Sequence, residues 1–243
     1  MLILRQISTC VYSWILMATL ADTTYREDVL RRYFNKLVPP RMKFNLPDHY
    51  FALRNPFDVK GTQYRFNLTA GKLRVKTPVL TIFDGKACKI SRALMKTVQC
   101  IFPIDGSSAN YTGKLSYGRH VVQTFKVKLT VEAYTYENSG WRNPADISVY
   151  MRPKMSAGKT RLAATDIFVT EFIVKITVKP DFRNSSVFHG NSTIINKVYD
   201  GFWDYVYRKS KPDMRKVARD SYARQLAKNA EKTPIIEWLF WKQ

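Results

Sequence analysis

The chain has 243 residues, 45% hydrophobic and 14% aromatic, which makes one large domain or two small ones with ample material for a core. Its 40 Lys and Arg against 19 Asp and Glu give a net charge of +21, so its partners are anionic: phospholipid or lipopolysaccharide headgroups, glycosaminoglycans or nucleic acid. Charge alone does not choose among them.

The N-terminus narrows the choice. Met1 to Arg5 is a short basic region, Ile7 to Leu20 is mostly apolar, and Ala21 precedes a polar start at Asp22. This is the pattern of a secretory signal peptide over residues 1–21, with a run too short and mixed for a comfortable membrane span. Residues 22–243 are then expected to form a single exported domain, and export removes nucleic acid as a partner. Asn-X-Ser/Thr sequons at Asn67, Asn110, Asn184 and Asn191 fit that route. So do the cysteines. With Cys10 lost in the leader, Cys88 and Cys100 remain as one expected disulfide, worth roughly 3 kcal/mol for so short a loop. Two cysteines without a nearby His make a poor metal site, and no cofactor is expected.

Asp22 to Leu37 reads as a short helix with Val29, Leu30, Tyr33 and Leu37 on one stripe, ended by Pro39-Pro40. An extended connection through Leu46-Pro47-Asp48-His49 follows, where His49 is expected to hydrogen-bond or face solvent. After Gly61 the period becomes two. Tyr64, Phe66 and Leu68 mark one strand, Ala70-Gly71 a turn, and Leu73 the start of a second strand. Strand material recurs around Cys88-Ile90 and Leu94–Phe102, and Pro103–Ser108 is a turn. Tyr111–Tyr117 and Val121–Tyr136 are strands, the second with Phe125, Val127, Leu129 and Val131 opposed to Lys126, Lys128, Thr130 and Glu132. Ile147, Val149 and Met151 follow. The last strand places Phe168, Phe172, Val174, Ile176 and Val178 on one parity.

Helical period then takes over from Asn191 to Lys232. Ile194, Val198, Phe202 and Tyr205 form a stripe that resumes as Met214, Ala218, Tyr222, Leu226 and Ala230. The opposite face is cationic, with Lys209, Lys211, Arg215, Lys216, Arg219 and Arg224. Pro212 is expected to kink this helix or split it. Six to eight long strands in hairpins between two helices predict an α+β fold, in which an antiparallel sheet is covered by the terminal helices.

No Gly-rich phosphate loop, nucleophile elbow or HExxH occurs, and acidic residues are scattered, so no catalytic site is expected. The order and spacing of short motifs carry a resemblance instead. They include Leu46-Pro47-Asp48-His49, Gly71-Lys72-Leu73, Lys86-Ala87-Cys88 and Phe168-Val169-Thr170-Glu171-Phe172, followed by the cationic terminal helix. In these the chain resembles the mite group 7 allergen-like proteins, secreted arthropod relatives of the bactericidal permeability-increasing and lipopolysaccharide-binding proteins in the tubular lipid-binding superfamily. The takeout-like proteins are similar in architecture but usually carry an N-terminal disulfide, whereas here the cysteines lie mid-chain.

The resemblance implies a long, highly curved antiparallel sheet around the C-terminal helix, with an apolar cavity that binds lipid without catalysis. In that arrangement Ile194, Val198, Phe202 and Tyr205 would line a groove facing Phe125, Val127, Leu129, Phe172, Val174 and Ile176. The alternative is an interaction protein without an internal ligand, whose cationic surface binds anionic glycans, bacterial surfaces or membranes. Bulky aromatics filling the interior would favour that alternative. A lipocalin-like barrel is a third possibility, with a less dominant terminal helix. The apolar tail Ile235–Trp241 is expected to dock on the groove or on a membrane.

Overall fold

A computed structural model of the chain describes residues 32–33, 36–37, 41–55, 61, 63–76, 88–91, 97–135, 142–143, 145–156 and 158–233. The expected leader, the Lys86-Ala87 motif and the Ile235–Trp241 tail lie outside these residues. Among these residues eleven strands precede one long helix: β1 (Arg41–Asn45), β2 (His49–Arg54), β3 (Gln63–Lys76), β4 (Cys88–Ser91), β5 (Thr97–Pro103), β6 (Ser108–Tyr117), β7 (His120–Thr135), β8 (Arg142–Asn143), β9 (Asp146–Ser156), β10 (Lys159–Val169), β11 (Phe172–Val178) and α1 (Ser192–Lys232). The fold is α+β, with antiparallel sheets and one long C-terminal helix. Of the expected opening helix, Arg32, Tyr33, Lys36 and Leu37 are described, and all four are helical.

Among the described residues the strands form two sheets. The larger runs β1-β3-β6-β7-β11, with β2 beside β3 and β8 beside β7; the smaller runs β10-β9-β5-β4. Neither closes into a barrel among the described residues. β1 and β2 lie end to end along one edge of β3, pairing with Lys72–Lys76 and Gln63–Leu68 respectively.

The chain passes between the sheets at a seam. Ile104 N donates to Ala145 O at 2.7 Å, Gly106 N to Val131 O at 2.9 Å, and Thr170 N to Asp146 O at 2.9 Å. These bonds satisfy the backbone where the strands change sheet.

Two expectations fail in the strands. Ala70-Gly71 is not a hairpin turn but a bulge inside the 14-residue β3, with Ala70 at φ 55°. The extra residue switches the buried parity from Tyr64, Phe66 and Leu68 to Leu73 and Val75. Gly71 is required there because a Cβ would lie 2.5 Å from the Tyr111 ring and 2.9 Å from Leu46 Cβ.

The expected last strand is likewise two strands in different sheets. β10 ends at Val169 and β11 starts at Phe172, so Phe168 is 57% exposed while Val169 and Phe172 are buried. Val178 faces solvent, beyond a bulge at Ile176.

The helix is not split: α1 runs through Pro212. The ring lies on the solvent side of the helix, and packing against two sheets outweighs one lost hydrogen bond. Its start is fixed by Asn191, whose Oδ1 accepts from Thr193 N and Ile194 N, both at 3.1 Å. Replacing Asn191 with Ala is expected to cost about 1 kcal/mol of unfolding free energy, read by urea denaturation. Only Oδ1 caps, so a glycan on Nδ2 leaves that bond in place.

Candidate functional site

The helix crosses the seam near Pro212, and the two sheets divide its apolar stripe. The first half lies on the larger sheet. Phe202 is wholly buried, with its ring centroid 5.1 Å from Phe66, 5.7 Å from Phe125, 5.6 Å from Phe182 and 5.8 Å from Phe51. Tyr205 stacks on Phe51 at 3.8 Å.

The residues expected to line a groove are mostly core residues. Val198, Phe202, Phe125, Val127, Leu129, Phe172 and Val174 are buried in one core, with Ile194 and Ile176 half-buried against it and Tyr205 half-buried on Phe51. Their interior around Phe202 is filled by aromatic rings. An opening of about 200 Å³ lies beside Val198, between Leu53, Arg54 and Lys197, and is smaller than an ordinary small-molecule site.

At the seam the cationic face is partly consumed by structure. Arg215 donates to Val169 O from Nε (3.2 Å) and Nη2 (3.0 Å), and from Nη1 to Glu171 at 3.0 Å. Lys211 pairs with the same carboxylate at 3.3 Å. Arg219 pairs with the adjacent Asp220, and Arg224 reaches Ser221. Lys209 and Lys216 are exposed.

Beneath this turn of α1 sits His49, a strand residue rather than a loop residue. It opens β2 and is 7% exposed, with Nε2 3.4 Å from both Tyr111 Oη and Asp213 Oδ2. Burial lowers its pKa below 6.5 and outweighs the opposing pull of Asp213 and Asp48, while Lys209 lowers it further. The unfolded chain therefore binds the proton first. The full stability associated with neutral His49 is present above about pH 6.5 and is lost as pH falls through that value toward the lower folded pKa.

Asp146 works the other way. Burial, with Asp105 nearby, raises its carboxyl to about 6, so its contribution is lost as pH rises from 3.8 through that value. Comparison with His49→Gln isolates the histidine. Wild type is expected to lose stability relative to that variant between pH 7 and 5.5, as read by denaturant midpoints.

The second half of α1 lies along β10 of the smaller sheet. Its buried stripe is Met214, Ala218, Tyr222, Leu226 and Ala230, and the sheet beneath contributes Val98, Ile147, Val149, Met151 and Leu162 to the same core. Aromatic crowding is absent among these residues. Among the described residues, Phe102 places a ring beside Tyr222, at 6.0 Å. Tyr222 is wholly buried, yet its Oη has no hydrogen-bond partner among the described residues. Burial pushes its phenol pKa far up. The sequence offered one signal for this residue: a single hydroxyl in a stripe otherwise made of Met, Ala and Leu. Further along the helix, Asn229 Nδ2 donates to Leu37 O at 2.6 Å and Tyr33 Oη to Thr233 O at 3.1 Å, joining the opening helical segment to the end of α1.

The sequons are spread. Asn110 is exposed on β6, and Asn67 is half-buried on β3. Asn184 is exposed and bonded to Asp181, and Asn191 caps α1. Register sets Cys88 opposite Cys100 on β4 and β5. Among the described residues no three His, Cys, Asp or Glu side chains group as metal ligands, and no helix is long and apolar enough to cross a membrane.

No family model and no curated protein matches this chain. One solved structure that it is similar to is described as "Crystal structure of lipopolysaccharide binding protein". The match is at 13% identity and a TM-score of 0.39, over 83% of this chain and 38% of that one. The chain thus spans well under half of that protein.

Proposed function

We propose that the protein is a secreted, non-catalytic binding protein for a hydrophobic or amphipathic lipid-like ligand held between the sheets and α1. The ligand lies under the half of the helix that follows Pro212. The observation that carries this reading is the orphaned Tyr222 hydroxyl. A buried hydroxyl without a partner costs about 1–3 kcal/mol, and an ester, carboxyl or hydroxyl group of an amphipathic ligand beside it would remove that cost. Flexible Met214 and Leu226 and small Ala218 and Ala230 surround it along the helix and can yield to an acyl chain. By contrast, the expected groove around Phe202 is already occupied by rings, so it serves as the rigid end of the molecule.

Export rests on the N-terminal pattern and the four sequons, and the Cys88–Cys100 register supports the expected disulfide. Kinship with the group 7 allergen-like proteins rests on the sequence motifs.

Tyr222→Phe keeps the ring and removes only the hydroxyl. Uptake of a fluorescent long-chain fatty acid should weaken by about 3- to 10-fold, the value of one net hydrogen bond, while the empty protein is as stable as wild type or more so. Equal uptake by both proteins, or none by wild type, would overturn the proposal. A second reading, a cationic surface acting without an interior ligand, is favoured by the outer face of the larger sheet.

A further inference from the structure

The side of the larger sheet turned away from α1 carries a lattice of cations that the helix face does not match. Strand register places Lys43 directly opposite Arg74, and Lys72 in one row with Asn110 and Lys128. Lys126 pairs across with Thr112, and Lys114 lies between Asn67 and Thr124. Neighbours in a row are about 4.8 Å apart and alternate residues along a strand about 6.7 Å. Like charges at that spacing repel, and opposed cations destabilise a strand pair.

A solvated sheet face normally offsets such charge with carboxylates. Among the described residues of these strands only Glu132 is acidic, and it pairs with Lys175 at 3.6 Å. The positions between the cations are short and polar: Ser108, Asn110, Thr112 and Thr130.

At one end the lattice runs into an open cleft of about 580 Å³, whose lining includes Tyr50, Arg65, Asn67 and Arg119. Tyr50 is 65% exposed, an aromatic face set beside two guanidinium groups.

We infer that this outer face is a binding surface for an extended, sulfated or uronate-bearing polysaccharide. The cation rows match the repeating charges of such a chain, the hydroxyl and amide side chains hydrogen-bond it, and Tyr50 offers a platform for a sugar ring. A lipid bilayer is the poorer fit, because the middle of the face holds no apolar side chain to insert below the headgroups. The surface is separate from the interior site and stands or falls without it. Asn110 lies between Lys72 and Lys128, so an N-glycan there would cover the rows.

The test uses full-length protein made without N-glycosylation and bound to heparin over a range of salt. Lys72→Ser/Lys128→Ser should weaken binding at least tenfold and lower the slope of log affinity against log salt by about 2. Lys216→Ser/Arg224→Ser on α1 removes the same charge and should change affinity less than twofold. Both double variants are checked for an unchanged melting temperature. The inference is overturned if the two double variants weaken binding equally, if the helix variant carries the loss, or if wild type ignores heparin at physiological salt. Binding to phosphatidylserine vesicles through Lys72 and Lys128, with heparin inert, would overturn it in favour of a membrane.

Discussion

Phe202→Ala is expected to lower the unfolding free energy by about 3–5 kcal/mol, seen as a fall in the urea midpoint at unchanged slope. The ring is wholly buried where α1 meets the larger sheet, and four other phenylalanines lie within 6 Å of it, centroid to centroid. Those neighbours come from β2, β3, β7 and the connection before α1, so no single element can move in to fill the space. The lost burial and the residual cavity therefore both count. The same crowding marks this half as core. A variant that opened space here and gained fatty-acid uptake would still leave the wild-type site elsewhere.

Gly113→Ala should be nearly as damaging, at about 3 kcal/mol. Gly113 on β6 faces Phe125 across the register, and a Cβ built there would stand 2.1 Å from the ring. Phe125 cannot swing aside, because Phe182 and Phe202 hold it edge-on at 5.6 and 5.7 Å. Overpacking of this kind commonly costs 1–3 kcal/mol, and pinned neighbours place it at about the upper end. Phe125→Leu relieves the clash. The double variant Gly113→Ala/Phe125→Leu should be more stable than the sum of the single effects by about 1 kcal/mol or more, as urea denaturation of all four proteins would show. Additive losses would mean that the glycine is required for some other reason.

Much of the fold could be read from the chain because alternation is uninterrupted where it matters. β7 shows its buried Phe125, Val127, Leu129 and Val131 against exposed Lys126 and Glu132, as the period requires. The long helix announces itself by its stripe. What stayed hidden lies at bulges. In β3 the parity flips across Ala70-Gly71, which reads as a turn when only the period is available. In β10 a bulge between Ala164 and Asp166 moves the buried residues from Leu162 to Val169, so that only its end at Phe168 reads as strand, and in continuity with β11. Both errors have one cause: an inserted residue reverses the faces without breaking the strand.

The candidate site was legible in part. The stripe from Ile194 to Ala230 was visible as apolar, but nothing in its period says which half is crowded. That depends on the partners. Phe51, Phe66 and Phe182 come from three segments and converge on Phe202, while among the described residues Tyr222 meets the Phe102 ring and otherwise aliphatic strand residues. The burial of His49 is hidden in the sequence for a similar reason, although its hydrogen-bonding role is not. Its neighbours Pro47 and Asp48 are exposed and turn-like, and burial arrives only when α1 lays Asp213 over it.

The most direct test of the central claim is native mass spectrometry of the purified protein, followed by solvent extraction and lipid analysis. A stoichiometric amphipathic ligand, present on wild type and depleted on Tyr222→Phe, is the expected result. An empty mass that added lipid does not shift would contradict it.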